Sequence, residues 1–565
     1  MAGVRNVRSD FSLVGTMTVL KTDSARRRFA LVALLMIGCF FGARRIGDES
    51  AVMLSGDMAR YVMNGVFVHD LIADGGVTSY GALTEYAERY YAKYPALSLG
   101  HHPPVLYLSV VPFFWLVGVS ILAVRLAALS WLLLAVWGMY ALATRLYNWQ
   151  VAAWSTALFA TNLMVVRYGQ YLLSEVPTMA LVLWSMVGLL EFCRTHRPLH
   201  FARFIALVLV SLYAKPLAAL ILPVYAVVLV SQLGWRKLLT RRFVLATLAL
   251  LLLIVPLGIM TVGLSPMTFG IAVNNARGLL TGAGREVQVG LGTLAGRIFW
   301  THLSLPALVL AAAGLVLLVA RRRRQAVIAA AWIVCVVGGS LVVAGGLEPV
   351  RYAFGALPAY FVLIGGLSAE ARGRVARVAI AVLLLGAILW QARIARWVRP
   401  AGAGGYERAA VSVLERMQEP AMLWASTRDT GYFVFFMRKH DPQRNHVILR
   451  YDKILGSGTG NLEEDRVNYH AALQRLGVRW IVAESRTTDA PFFQMVYQEF
   501  QGPRFAERER IPVVSTRAAP GLAIILYEYL DAKPADYDAE VNISVPIGRR
   551  QFGLRLRDLV SPGTR

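Results

Sequence analysis

Ser174-Glu175-Val176-Pro177-Thr178-Met179-Ala180-Leu181-Val182-Leu183-Trp184-Ser185-Met186-Val187-Gly188-Leu189-Leu190 places an acidic residue in front of a long apolar run, and the basic stretch Arg194 to Arg203 follows it. With no charge between Glu175 and Glu191, the run reads as one crossing of a bilayer. Basic loops stay on the cytoplasmic side, so Arg194–Arg203 lies inside and Glu175 outside. Outward from it, further apolar runs begin near Pro103, Leu122, Val151, Phe204, Leu217, Phe243, Ile298, Ala326, Tyr352 and Val375. An earlier run from Phe29 to Phe41 follows Arg26-Arg27-Arg28, and no small-residue cleavage site follows it, so it reads as a first span rather than a signal peptide.

Three more basic loops, Arg236–Arg242, Arg321–Arg324 and Arg372–Arg377, set the orientation of the rest. With all four inside, Lys215, residues 265–297, Glu348 and the chain after residue 393 fall outside. Arg393, Arg396 and Arg399 argue the other way and are outvoted. Residues 48–100 and Glu175 are both outside only if 103–170 crosses an even number of times. The 103–119 run, interrupted by Pro103, Pro104, Pro112 and Gly118, is therefore expected not to span. The expectation is an α-helical polytopic membrane protein of about eleven spans, with a range of eleven to thirteen.

Composition supports this. Of 565 residues, 57% are hydrophobic and 16% charged, against about 25% charged in an average globular chain. The mean hydropathy is +0.52. The net charge of +24 comes largely from arginine clusters between apolar runs, which fits cytoplasmic loops and anionic headgroups and excludes a nucleic-acid stripe. Cys39, Cys193 and Cys335 all lie in apolar runs, so neither a disulfide framework nor a CxxC metal site is available. The expected organisation is a basic N-terminus (1–28), a membrane domain (29–395) with outer loops at 44–102 and 265–297, a small α/β domain (396–545) and a loosely ordered tail (546–565). The first loop is expected to form juxtamembrane helices. Strands are expected at Ala421–Ala425, His446–Tyr451, Trp480–Ala483 and Leu522–Tyr527. The Gly456–Gly460 stretch reads as a flexible loop.

Ionisable groups at a membrane are costly and point to function, and four clusters fall on the outer face. The first, Gly56-Asp57-Met58-Ala59-Arg60-Tyr61, offers a carboxylate as a general base or cation ligand. On spacing alone, an Asp57 that caps a helix and pairs with Arg60 is the stronger reading; Asp48 and Glu49 are nearby competitors. His101-His102-Pro103-Pro104 can turn one histidine inward as a metal ligand, proton carrier or phosphate donor, or hold a plain interfacial histidine. Glu175 and Lys215 (before Pro216) can pair or meet a charged ligand, although a lysine there also snorkels readily. Last, Arg351-Tyr352 at the outer end of a span suits a lipid phosphate, or an ordinary headgroup.

In order, these motifs are Asp-x-x-Arg-Tyr after the first span, a His-Pro-Pro turn with downstream Tyr107, Glu175-Val176-Pro177, Lys215-Pro216, and Arg351-Tyr352 before Leu357-Pro358. They resemble the GT-C glycosyltransferases of the protein O-mannosyltransferase and lipid A aminoarabinose transferase group. The resemblance covers roughly residues 29–395, and the C-terminal domain is similar in placement to the periplasmic domain of the aminoarabinose enzymes. It implies inverting transfer of a sugar from a polyprenyl-phosphate donor to a hydroxyl on a glycan, lipid or protein acceptor. It also implies a bacterial inner membrane, with the site facing the periplasm. Asp57 would then be the base; Lys215, Arg351, Tyr352 and His102 would hold the donor phosphate or lipid. Glu175, Arg60, Tyr61 and Tyr94 would position sugar or acceptor, and His101 is the candidate ligand for a divalent cation. His101 stands where the aminoarabinose enzymes carry Glu, which puts a metal site in doubt. Tyr80, Tyr86, Tyr90 and Tyr91 are candidates to wall the sugar.

Two rival functions stay open. A transporter or flippase is disfavoured by the absence of an inverted hydropathy repeat and by charges on one face instead of the midplane. A ligase using polyprenyl-diphosphate-linked glycans would need further charge, for which Arg277, Arg285 and Arg297 are candidates.

Overall fold

A computed structural model describes residues 13–44, 46–47, 56–99, 102–264, 273–274, 277, 291–344, 349–398, 403–425, 430–450, 461–485, 491–515, 521–545 and 550–560. Asp48, Glu49, His101, Arg285, Glu348 and the Gly456–Gly460 stretch lie outside the described residues, as does most of 265–297.

Six described helices are long and apolar enough to cross a membrane: Ile121–Leu146, Glu175–Thr195, Pro216–Leu233, Arg324–Val343, Val350–Glu370 and Arg374–Ala395. A seventh is reached if Gly296–His302 and Leu305–Ala320, bent by 109°, form one span. Pro104–Val117, Pro198–Ala214 and Phe243–Ile259 are apolar but shorter. At 14 residues, Pro104–Val117 is about 21 Å long, less than the hydrocarbon thickness of about 30 Å. The first apolar run lies within the helix Leu13–Gly42.

Small residues let these helices approach closely. A Cβ on Gly314 would fall 2.5 Å from the Leu363 carbonyl oxygen, and one on Gly365 would collide with Ser155. The ends carrying the basic loops are tied by ion pairs, Arg145–Glu191 at 2.6 Å and Arg323–Glu370 at 2.7 Å.

At the other end, the first loop folds as two helices, Gly56–Ala73 and Tyr80–Lys93. Ser79 caps the second by accepting from Ala82 N–H. The Gly56–Ala73 helix, called here the Asp57 helix, packs on Pro104–Val117; a Cβ on Gly65 would meet Val110 at 2.4 Å.

The C-terminal domain is α/β. Its main strands are β1 (Ala421–Ala425), β2 (Val447–Arg450), β3 (Trp480–Glu484), β4 (Phe505–Pro512) and β5 (Ala523–Tyr529), in the order β2-β1-β3-β5-β4. β1 is parallel to β2 and β3, whereas β5 is antiparallel to β3 and β4. Helices Tyr406–Arg416, Thr430–His440, Leu462–Arg475 and Pro491–Glu499 surround the sheet. β4 was not among the expected strands because its sequence, FAERERIP, is charged and only its ends are buried. The expectation of a loose tail is corrected for residues 550–560. β6 (Glu540–Val545) pairs antiparallel with β7 (Arg550–Arg555), and Leu556–Val560 is helical with Leu556 and Leu559 buried. One apolar core runs from this sheet through the first-loop helices into Leu106, Val110 and Phe114.

Candidate active site

Four charged side chains from four distant segments converge beside the ends of the spans away from the basic loops. Asp57 lies in the first turn of its helix, and Glu175 is the first residue of Glu175–Thr195. Lys215 occupies the extended break between Pro198–Ala214 and the 3-10 turn Pro216–Ile221. Arg351 belongs to the short helix Pro349–Tyr352. Pro216 and Pro349 follow or open these breaks because proline starts a helical turn without losing a backbone hydrogen bond.

Lys215 Nζ donates to Glu175 Oε1 at 2.9 Å, and Arg351 Nε donates to the same oxygen. Arg351 Nη1 donates to Asp57 Oδ2 at 2.9 Å. One guanidinium thus bridges two carboxylates, and one carboxylate oxygen bridges two cations. The Glu175 side chain is 1% exposed and the Asp57 side chain 37%, so the array runs from a sealed interior to an accessible carboxylate. Burial works against the charged form of Asp57, but Arg351 first and then His102 hold its carboxyl below the usual 3.8. Asp57 pairs with Arg351, and Arg60, the partner favoured by spacing, is exposed.

Tyr61 and His102 pack on each other with ring centroids 4.3 Å apart, and both are buried. The Tyr61 hydroxyl bonds Ser174, next to Glu175, and burial pushes its pKa up. The Tyr352 ring lies 5.1 Å from Lys215 Nζ, within cation–π range. Asp57, Tyr61, His102, Glu175, Lys215, Arg351 and Tyr352 are therefore brought together.

Tyr94 is not in this group. It is 1% exposed, packs on Tyr90 at 5.1 Å, and its charged neighbours are Arg438, Asp441, Asp70 and Arg444. Tyr86 and Tyr90 donate to Asp74 and Asp70, and Tyr80 is exposed to solvent. Tyr86, Tyr90 and Tyr94 build the seam between first loop and C-terminal domain. The sugar wall expected of them does not describe that placement. His101 lies outside the described residues, and among the described residues no group of three or more His, Cys, Asp or Glu side chains could hold a metal ion.

A narrow groove, with about 50 Å³ of cavity volume, opens directly from Glu175, Lys215 and Arg351 into apolar surroundings, with Met179, Ile221, Val336 and Phe354 among its lining residues. Val336 is presented by a π-helical turn, Val334–Gly338, inside the span Arg324–Val343. Such single turns widen a helix and often mark functional sites. The sequence carries no composition signal for this turn; just after it, a Cβ on Gly339 would meet Leu220 at 2.4 Å. Three positive and negative groups at the head of an apolar slot are suited to an amphiphile with an anionic head.

A family model described as dolichyl-phosphate-mannose-protein mannosyltransferase matches residues 101–259. No curated protein matches the chain. Among solved structures, ArnT from Cupriavidus metallidurans bound to undecaprenyl phosphate is 15% identical, with a TM-score of 0.50, over 88% of this chain and 97% of that one. The same enzyme in the apo state gives 0.51 at 15% identity, over 89% and 98%. The oligosaccharyltransferase of Archaeoglobus fulgidus in the apo form gives 0.52 at 13% identity, over 81% of this chain and 69% of that one. At this identity the likeness concerns the fold alone.

Proposed function

We propose that this GT-C-fold chain is an integral-membrane glycosyltransferase that moves a sugar from a polyprenyl-phosphate donor to a hydroxyl acceptor. The observation that carries the reading is the Asp57–Arg351–Glu175–Lys215 array at the head of the apolar groove. The ArnT structure with undecaprenyl phosphate supports it by showing that this fold accommodates such a lipid in that protein. The basic loops favour an inner-membrane chain with the site on the periplasmic side.

In this mechanism the acceptor oxygen attacks the anomeric carbon from the face opposite the phosphate, giving inversion. The carbon–oxygen bond to phosphate breaks, and the phosphate leaves with the electron pair. Asp57 accepts the hydroxyl proton. Its lowered pKa keeps it ionised, and it accepts the proton late, as bond formation makes the hydroxyl acidic. Lys215 and Arg351 neutralise the departing phosphate, which needs no protonation of its own. Their fixed geometry minimises reorganisation during transfer. Glu175 holds both cations in place, and Tyr352 flanks Lys215. Tyr61 and His102 shape the region between base and phosphate. The lipid chain follows the groove past Met179, Ile221 and Val336.

The test is sugar release by purified protein from a panel of radiolabelled polyprenyl-phosphate sugars, for wild type and Asp57→Asn, with and without EDTA. Release from one donor, lost in Asp57→Asn while that donor still binds, is expected. Equal turnover by the variant removes Asp57 as base, and loss of activity in EDTA assigns a divalent cation to the reaction.

A further inference from the structure

The Asp57 helix has a second carboxylate, Asp70, which is 1% exposed. It lies thirteen residues further on, about 20 Å along the axis and on a roughly opposite face. Both nitrogens of an Arg438 fork donate to it at 2.7 Å, Tyr90 OH donates at 2.6 Å, and His69 Nδ1 lies at 3.0 Å. Arg438 belongs to Thr430–His440 of the C-terminal domain and is 7% exposed. The same two helices touch again near the base, where a Cβ on Gly431 would come within 2.5 Å of the Ala59 Cβ. On its other side the Asp57 helix rests on Pro104–Val117 through Gly65, and Asn64 Oδ1 accepts from Ser98 N–H.

We propose that Arg438 is a positioning residue: through its buried fork to Asp70, the C-terminal domain holds the helix that presents Asp57 to the donor. This rests on the proposed role of Asp57. A buried ion pair adds little net stability because desolvation offsets its Coulomb gain, but its two parallel bonds define one geometry. The ring faces around it, Phe67, Tyr90 and Tyr94, pack without direction, whereas the fork and the Tyr90 hydroxyl fix Asp70 in one place. A helix is stiff along its axis, so a shift at Asp70 is carried to Asp57. A sliding helix loosens the Asp57–Arg351 bond, but Lys215 and Arg351 stand on other elements and stay paired with the buried Glu175, so phosphate binding is kept.

The experiment compares Arg438→Met, Arg438→Lys and the neutral pair Asp70→Asn/Arg438→Gln with wild type and Asp57→Asn in the full-length protein. Readouts are kcat, the dissociation constant for polyprenyl phosphate, and melting temperature. We expect kcat to fall by up to about a hundredfold, the scale of a reacting group misplaced by about 1 Å. Polyprenyl-phosphate affinity stays within about twofold, because Glu175 still holds Lys215 and Arg351. Arg438→Lys recovers part of kcat. The neutral pair keeps the packing and reports even if Arg438→Met fails to fold. Wild-type kcat in the neutral pair overturns the proposal, and so does donor affinity that falls in step with kcat. If Asp57→Asn is inactive while the pair variants run normally, only this inference fails; an active Asp57→Asn brings down the base assignment itself.

Discussion

Replacing Glu175 by Gln tests the charged array from its centre. Its Oε1 accepts from Lys215 at 2.9 Å and from Arg351, and the side chain is 1% exposed. The wild-type array of Asp57, Glu175, Lys215 and Arg351 sums to zero; the variant leaves it at plus one, with Asp57 bonded only to the Arg351 side. Removing one partner of a buried pair costs about 3–5 kcal/mol, and the retained amide oxygen puts this case at the low end, about 3 kcal/mol. The sign reverses for an anionic ligand. At an effective dielectric of 20, a unit charge removed about 5 Å from a phosphate changes their interaction by about 3 kcal/mol, on the order of a hundredfold in affinity. The assay is thermal unfolding of detergent-purified protein followed by tryptophan fluorescence, with and without undecaprenyl phosphate. The free variant is expected to melt earlier than wild type and to gain more from the lipid. A variant that melts with wild type, or gains less, refutes the claim that Glu175 balances a phosphate-binding pair.

Arg351→Lys keeps the charge but loses the fork that reaches Asp57 and Glu175 together, so donor affinity is expected to fall at least about tenfold in a lipid-phosphate binding assay. Asp70 has a pKa of about 2 when folded, below the ordinary 3.8, because the bonds from His69 and Arg438 outweigh its burial. A depressed pKa means stability that is complete above pH 3.8 and lost as pH falls toward 2, here about 2 kcal/mol. The stability gap between wild type and Asp70→Asn, followed by acid unfolding, is expected to shrink across that window; a constant gap contradicts it. Gly314→Ala puts a Cβ 2.5 Å from the Leu363 carbonyl oxygen, and since backbone cannot rotate aside, the two helices must part. A loss of about 1–3 kcal/mol is expected in the melting curve.

Much of the site was legible before any fold. Asp57, Glu175, Lys215 and Arg351 are ionisable residues at the ends of apolar runs, where charge is expensive and so informative. Their meeting was not legible: 294 positions separate Asp57 from Arg351, and Arg60 was the nearer cation. Tyr94 was misread because a tyrosine in a polar loop has the same local signature whether it walls a ligand or seals a domain. Strand β4 was missed because it is an edge strand whose middle stays in water, so alternation gives no apolar signal there. Residues 550–560 of the tail were misread because β6–β7 and the closing helix bury only a few side chains, such as Val541 and Leu556.

What the sequence determines by itself is where the chain is apolar, which loops are basic and which charges sit at the ends of its runs. Those properties follow from transfer free energy and local charge, which each residue carries with it. Only the tertiary structure decides that one arginine serves two carboxylates, that a π-helical turn shapes the groove, and that Arg438 is driven onto Asp70. Those depend on the geometry of packed helices, where a glycine or a proline sets the approach of segments hundreds of residues apart.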